Sequence, residues 1–458
     1  MIVVAIAMVA IIAMAALSID VVTLYLARME TQRSADAAAL AAARVISISG
    51  LTGDPTNSPG SWVSICGGAG TPATEAAVTA AKQNLIGGVA PTTADIAVKY
   101  SAGGTSSANC SGLPAGFGVN PLVTVVVTRT GLPTFFSRLW GNTGNKVSAT
   151  ASAEAFNSSN SGNVGNGRTG TITPVWPRCV KPWMVPNLDP LNPSGSGCTT
   201  NCTPFVATDT GQIQHQGYSL NGTGTTGVIG ERFTLIPDCQ PGSPCTVAVN
   251  PPEANSQAPS LQYLPGQPPL VTPVAVPSCS AQTNMYQEAI AGCDQSTVYQ
   301  CGAPLGNTIN LAENPGAGDT TNGVACLIDE DNVNAAPPSG QDTINLTSYP
   351  FRMEAGSSNP LVGYGLATGA PITASNSIVS VPIYDSSSGG TQIKIGTGLT
   401  QVTIVGFLQV FINSVDKNGD VDVTVLNVTG CSNGGGKDPV GPAVTGSSPV
   451  PIRLITPP

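Results

Sequence analysis

The first 49 residues of this 458-residue chain contain no glycine and no proline, and the first 19 contain no charged residue. Glycine and proline are the residues that most disfavour helices, so their absence predicts one continuous helix over residues 1–49. At 1.5 Å per residue this helix is about 70 Å long, whereas the hydrocarbon core of a bilayer is about 30 Å thick. A membrane span therefore accounts for only part of it.

Charged residues are scarce, at 9 % of the chain, and they give a net charge of −9. Nucleic-acid binding needs clustered lysine and arginine, which this composition does not offer. Serine, threonine, asparagine and glycine supply the polarity instead. The composition therefore predicts an extracellular or cell-surface protein with no nucleic-acid partner.

Motifs for catalysis are missing as well. The single histidine, His215, cannot complete a Cys/His zinc site or a two-histidine metalloprotease motif, and the chain has no G-x-S-x-G motif. No acidic residue lies near His215 in the sequence, so we interpret it as a solvated loop residue. The chain is predicted not to be an enzyme.

All twelve cysteines follow the predicted helix, and none forms a C-x-x-C pair. An even number of cysteines outside the cytoplasm is typical of disulfides, with buried free thiols as the alternative. Sequence alone does not determine the pairing. Local pairs are the working prediction: Cys66 with Cys110, Cys198 with Cys202, and Cys239 with Cys245.

The predicted helix changes character at Asp20. Residues 1–19 are apolar, whereas polar residues recur at helical intervals afterwards and leave an amphipathic stripe. Small residues dominate 35–43, and such stretches allow a neighbouring helix to approach closely. A cleavable signal peptide fits less well, because no basic residue precedes Arg28 and the helical pattern continues.

Asp20 has two interpretations: it lies at the membrane boundary, or it pairs with a neighbouring subunit in a filament. The residues predicted to take part in assembly are Met1, Asp20, Leu24, Tyr25, Ala38 and Ala41.

The fold class predicted for the whole chain is α+β. Its parts are a long helix at 1–49, a small α/β module at 50–156, a polar linker at 157–170 and a β-rich, loop-rich, disulfide-stapled region at 171–458. In the module we predict a loop at 50–72, a helix at 74–86, strands at 94–100, 122–130 and 146–156, and helical turns at 132–141. In the C-terminal region we predict long loops over 186–350 and strands at 377–384, 401–412, 421–428 and 450–455.

One segment suggests a metal ion. Oxygen-bearing side chains at Asp416, Asn418, Asp420 and Asp422 imitate the start of a calcium loop. The alternative is a type I′ hairpin turn at Asn418-Gly419 between two strands. Calcium is therefore the one cofactor candidate, and the turn is the favoured interpretation.

The segment ALSIDVVTLYLARMETQRSADAAALAAARV at 16–45 resembles the N-terminal helix of TadG/TadE-like proteins of Tad (tight-adherence, Flp-type) pilus systems. The segment LPTFFSRLWGNTGNKVSATASAEA at 132–155 also resembles that family. The resemblance implies an envelope-anchored or pilus-associated protein with a pilin-like helix. The chain departs from it in two respects: no basic stretch precedes the apolar run, and Ala5 stands where pilin helices usually carry glutamate. Met1 is accordingly either the start of a processed form or a gene start.

Three functional hypotheses follow. The first is a structural subunit of a pilus-like filament that assembles through the helix with copies of itself, after insertion in the inner membrane, with the body exposed. The second is a membrane-anchored monomeric surface protein or adhesin of the same system, which contacts other pilus components or a surface. The third and weakest is a secreted enzyme.

Overall fold

In the computed structural model the chain forms two compact units. The first comprises Met1–Ile46, Asp54–Phe156 and Ile452–Pro458, and the second comprises Ser47–Gly53 and Asn157–Pro451. The structure describes residues 2–49, 59–102, 104–114, 117, 121–132, 144–155, 175–177, 180–191, 202–208, 211, 213–215, 217–237, 259–265, 285–292, 299, 301–302, 307–310, 317–333, 337–372, 374–387, 399–431, 444–446, 450 and 452–455. The predicted linker at 157–170 and the predicted helical turns beyond 132 lie outside them.

Helix α1 extends without interruption over Ile2–Ile48, so it is 47 residues and about 70 Å long. The single continuous helix predicted from the missing glycine and proline is confirmed. From Ala27 onward, α1 has a buried face of small side chains. Before Ala27 most described side chains are exposed.

Two short helices follow, α2 over Pro59–Cys66 and α3 over Pro72–Lys82. The predicted loop at 50–72 is wrong where α2 forms, because Trp62, Ile65 and Cys66 give this Gly/Ser/Pro-rich stretch a buried face. Helix α3 begins with proline at its first position, which needs no hydrogen-bonded N–H there. It ends four residues before the predicted limit of 86.

The first unit also contains a five-stranded antiparallel sheet. Its strands are β1 (Ile96–Ala102), β2 (Thr105–Ser107), β3 (Leu122–Leu132), β4 (Asn145–Ala155) and β18 (Ile452–Ile455). The order is β18-β4-β3-β1-β2. Alternate residues of β3 are buried, namely Val123, Val125 and Val127, as the period-two pattern of the sequence predicts.

A closed six-stranded barrel forms the centre of the second unit. In order around the barrel its strands are β13 (Ile378–Tyr384), β15 (Ile404–Val415), β16 (Val421–Gly430), β7 (Arg232–Pro237), β8 (Ser260–Pro265) and β6 (Trp183–Pro186). The pairs β13–β6 and β7–β8 are parallel, and the others are antiparallel. Closure leaves no exposed sheet edge in the barrel.

Shorter elements complete the second unit. They are helices α4 (Met285–Ala291) and α5 (Ala317–Ile328), the strand pairs β5 (Val175–Pro177) with β17 (Val444–Gly446) and β9 (Thr308–Asn310) with β14 (Leu399–Gln401), and the sheet of β10 (Thr343–Asn345), β11 (Arg352–Glu354) and β12 (Pro371–Ile372). A short 3-10 helix at Pro360–Tyr364 also belongs to this unit, whereas those at Thr93–Asp95 and Cys110–Gly112 belong to the first. The prediction that 186–350 is only loop is therefore wrong, since two barrel strands and both helices lie there.

Every cysteine among the described residues is disulfide-bonded. The predicted Cys66–Cys110 bond is confirmed, with a Cα–Cα distance of 5.6 Å. A second bond joins Cys301 to Cys431 across 130 residues, a pairing that local spacing did not predict. Cys202 is also bonded. The predicted partners Cys198, Cys239 and Cys245 lie outside the described residues.

Candidate assembly site on the N-terminal helix

The N-terminal half of α1 exposes a large apolar surface. Val3 is 78 % exposed, Ile12 62 % and Tyr25 64 %. Among the side chains that the structure describes in this stretch, the other large apolar ones that are exposed are Val4, Met8, Ile11, Met14, Leu17, Ile19, Val21 and Val22. At 100° per residue these positions cover well over half of the circumference of the helix. Such a surface is stable only where lipid or protein covers it.

The C-terminal half of α1 packs against the body of the first unit. The hydroxyl of Ser34 donates a hydrogen bond to the main-chain oxygen of Ala81, at 3.1 Å. The main-chain N–H of Gly87 donates to Oε2 of Glu30, at 2.7 Å. Five alanines have no exposed surface: Ala35, Ala38, Ala39, Ala42 and Ala43. The small-residue face thus lets α1 approach its own body closely.

The predicted assembly residues differ in how far their side chains are exposed. Tyr25 is exposed, Leu24 and Ala41 are half-buried, and Ala38 is fully buried within the first unit. Ala38 therefore offers no surface to a neighbouring subunit. The side chain of Met1 lies outside the described residues.

Asp20 differs from its neighbours in α1. It is only 6 % exposed, between Ile19 at 47 % and Val21 at 58 %, and it is already engaged within the chain. Pairing with a neighbouring subunit would require the carboxylate to leave this position. That pairing stays a prediction.

A surface pocket lies beside the half of α1 that meets the body. Leu24, Leu26 and Glu30 line it from the helix. Leu132 and Asn145 line it from the sheet strands β3 and β4. Leu24 is thus placed at the rim between the exposed and the packed parts of α1.

The predicted calcium segment forms the hairpin turn between β15 and β16. Oδ1 of Asp416 accepts hydrogen bonds from the main-chain N–H groups of Asn418, at 2.8 Å, and Asp420, at 2.9 Å. Asp422 accepts hydrogen bonds from the guanidinium of Arg232. The four side chains thus do not all face one point, and the calcium site stays a prediction.

A hairpin turn forms in this segment as predicted, but its central residues and its type differ from the predicted type I′ turn at Asn418-Gly419. The main-chain N–H of Gly419 donates to the carbonyl of Asp416, at 3.2 Å, so Lys417 and Asn418 are the central residues. Type I′ needs positive φ at both central residues. Lys417 and Asn418 do not meet this requirement, because Asn221 and Asp329 are the only described non-glycine residues with positive φ. Positive φ occurs instead at the next residue, Gly419, at +85°.

His215 is not the isolated loop residue that the sequence suggested. Its Nδ1 lies 3.5 Å from Oε1 of Glu231 and 4.0 Å from Oδ2 of Asp189. Both carboxyl groups are buried. The interpretation based on sequence neighbours is wrong because the loops of the second unit bring three distant segments together. No local motif spans these residues.

Comparison with known proteins bears on α1. A family model described as putative Flp pilus-assembly TadE/G-like matches residues 1–45. No curated protein and no solved structure matches the chain. The resemblance stated for residues 16–45 is thereby confirmed, and it supports involvement in a Tad pilus system. The matched residues end within α1 and include none of the strands.

Proposed function

We propose that the chain is a structural subunit of a pilus-like filament of a Tad system, in which the exposed half of α1 packs against copies of itself. The family match to residues 1–45 supports the system. The exposed apolar surface of α1 supports assembly through the helix. No catalytic step is part of this proposal.

The free energy of covering α1 is large. Full burial of one valine, leucine, isoleucine or methionine side chain contributes about 1.5–3 kcal/mol. Eleven such side chains are more than 40 % exposed between Val3 and Met29, besides Tyr25 and Leu26. Because each of them is only partly exposed, covering them contributes about 10–20 kcal/mol, which is comparable with the stability of a typical domain, about 5–15 kcal/mol. The helix therefore occupies lipid or contacts protein throughout its life.

The exposed apolar surface of α1 is longer than a bilayer core is thick, which favours protein contacts for part of this surface. Exposed apolar residues continue past Asp20 through Val21, Val22 and Tyr25 to Met29. From Val3 to Met29 the helix rises about 40 Å, which exceeds the roughly 30 Å of a hydrocarbon core. If the span begins near Val3, about 20 residues fill the hydrocarbon core and the apolar side chains beyond them, Tyr25 to Met29, extend past it. Neighbouring copies of α1 are the proposed cover for these side chains. This observation carries the proposal.

The second candidate is a membrane-anchored monomeric surface protein or adhesin of the same system. Over Ile11–Ile48, α1 contains a window long and apolar enough to cross a membrane, with a mean hydropathy of 1.8. In addition, the small-residue face at 35–43 is occupied within the chain, so it does not require a partner helix. Insertion in the inner membrane belongs to both candidates, as the stage before assembly in the first.

Site-specific photo-crosslinking in cells separates the two candidates. A benzophenone amino acid replaces Tyr25 on α1 or, as the control, Tyr364, which is 90 % exposed in the second unit. The filament predicts covalent dimers and higher multimers from position 25, in fibres that electron microscopy shows in sheared surface material. A detergent-soluble monomer, with no fibres and no self-adducts from position 25, would overturn the filament and favour the anchor.

A further inference from the structure

Three potential metal-ligating side chains meet in the second unit: Asp189, His215 and Glu231. One ligand atom from each lies within 4.8 Å of the others. Asp189 follows strand β6, Glu231 directly precedes β7, and His215 lies in the segment between these strands. The barrel therefore fixes two of the three positions, and the chain between them supplies the third.

Glu231 is the most unusual member of this cluster. Its side chain has no exposed surface, and neither carboxylate oxygen has a hydrogen-bond partner in the described residues. Nδ1 of His215 also has no hydrogen-bond partner, although it faces the Glu231 carboxylate at 3.5 Å. Burial of a carboxylate without hydrogen bonds is strongly unfavourable. A cation bound between them would satisfy both the Glu231 carboxylate and Nδ1 of His215.

Main-chain hydrogen bonds hold the three segments in place. The N–H of Leu191 donates to Oδ1 of Asp189, at 3.0 Å. The N–H of Val228 donates to the carbonyl of His215 at 3.0 Å, and the N–H of Val425 donates to the carbonyl of Glu231 at 2.8 Å. Such outer contacts orient ligands in protein metal sites.

Gly224 closes the cluster on another side. Its φ is +62°, a left-handed conformation that glycine adopts readily. A Cβ atom at this position would lie 2.9 Å from Oε1 of Glu231 and 2.7 Å from Cβ of Leu191. The main chain therefore approaches the Glu231 carboxylate more closely than any other residue type would allow.

We propose that Asp189, His215 and Glu231 bind a divalent transition-metal ion, with Zn²⁺ as the principal candidate. Zinc binds imidazole nitrogen and carboxylate oxygen at about 2.0–2.2 Å, so neighbouring ligands of a tetrahedral ion lie about 3.4 Å apart. The distances of 3.5 and 4.0 Å from Nδ1 of His215 need only small closure. Calcium prefers oxygen ligands throughout, which disfavours it beside an imidazole.

The metal ion joins the three segments around residues 189, 215 and 231, because each of them supplies one ligand. We therefore assign it a structural role, as a clip that stabilises the loops beside the barrel. This role is independent of filament assembly, because all three ligands belong to the second unit. The competing arrangement is a metal-free cluster in which Glu231 is protonated: burial, and then the Asp189 carboxylate, raise the pKa of Glu231.

The test uses the full-length protein in detergent, purified through a tag without histidine. Metal content is measured by mass spectrometry of the protein as isolated, after chelation, and after addition of ZnCl₂. We expect about one zinc per chain, a melting temperature several degrees lower after chelation, and recovery with zinc. The variant Glu231→Gln keeps the side-chain shape and should lose at least tenfold in zinc affinity. Glu288→Gln, in the same unit but outside the cluster, should bind as the wild type does.

A second readout does not depend on the stability of any variant. Because His215 is the single histidine of the chain, ¹⁵N-histidine labelling yields the signals of one imidazole. Zinc binding through Nδ1 shifts that nitrogen at one equivalent of metal. Wild-type protein that neither contains zinc nor shows this shift on zinc addition would overturn the proposal and establish the metal-free cluster.

Discussion

The hydroxyl of Ser34 on α1 donates a hydrogen bond to the main-chain oxygen of Ala81 on α3, at 3.1 Å, and both residues are buried. This contact lies beside the alanines of the 35–43 stretch, whose small side chains let α1 pack against its own body. The sequence pattern that suggested contacts between subunits therefore has an intramolecular function. The exposed apolar half of α1 remains as the proposed assembly surface.

Ala38→Leu should destabilise the first unit. Ala38 has no exposed surface, so three added carbon atoms overpack the interface, at a cost of about 1–3 kcal/mol or more. The matched control is Ala41→Leu, since Ala41 is half-buried on the same helix. Thermal unfolding followed by circular dichroism should show a lower midpoint for the first variant. Equal midpoints would mean that the alanine face is not packed within the chain.

Tyr25→Ser should act in the opposite way, on assembly and not on folding. Tyr25 is 64 % exposed and packs little within the chain, so we expect an unchanged melting temperature. If neighbouring helices cover this position, fewer or shorter fibres should form, as counted by electron microscopy. Tyr364→Ser serves as the matched control and should leave the fibres unchanged. Normal fibres from the Tyr25 variant would remove this position from the assembly surface.

Much of this architecture could be predicted where the sequence pattern involves neighbouring residues and is strong. The missing glycine and proline predicted α1, and the β-branched runs predicted strands β3, β4, β13, β15 and β16 within a few residues. Helix α2 was missed because its composition is typical of a loop, and its identity depends on burial of Trp62 and Ile65. Strand β18 pairs with β4 almost 300 residues earlier in the chain, which no local pattern specifies.

The cluster proposed to bind a metal ion shows the same limit more sharply. Asp189, His215 and Glu231 occupy three separate segments, so their spacing matches no motif. A single histidine in a loop gives no signal until the barrel places two carboxylates beside it. The hairpin at 416–422 shows the opposite case, because its spacing of oxygen-bearing side chains is visible in the sequence. In the structure, the carboxylate of Asp416 accepts main-chain hydrogen bonds and that of Asp422 accepts hydrogen bonds from Arg232.

Removal of the Cys301–Cys431 disulfide should weaken the second unit. The bond restrains a loop of 130 residues in the unfolded chain, and losses of about 2–5 kcal/mol are typical for native disulfides. The double variant Cys301→Ser/Cys431→Ser should therefore unfold at a lower urea concentration. The matched comparison is the Cys66→Ser/Cys110→Ser variant, which removes the disulfide of the first unit between cysteines 44 residues apart. The prediction is wrong if the second unit of the Cys301→Ser/Cys431→Ser variant unfolds at the same urea concentration as that of the wild type.

Lys181 should make stability depend on pH above neutrality. It is buried, and its Nζ donates hydrogen bonds to the carbonyl oxygens of Ile290 and Gly292, both at 2.6 Å. Burial lowers the pKa of Lys181 from 10.5 to about 7. Between these values the unfolded chain binds the extra proton, so the free energy of unfolding rises with pH. The total change over this window is a few kcal/mol.

The measurement that isolates Lys181 is urea unfolding of the wild type and of Lys181→Met at pH 7 and pH 9. Other titrating groups affect both proteins alike, so the difference between them reports Lys181. The variant has no proton to lose at this position, although it leaves two carbonyl groups without their donor. We expect the free energy of unfolding of the wild type to increase relative to the variant as the pH rises. A difference that stays constant would contradict this prediction and show that the ammonium group keeps its ordinary pKa in the folded protein.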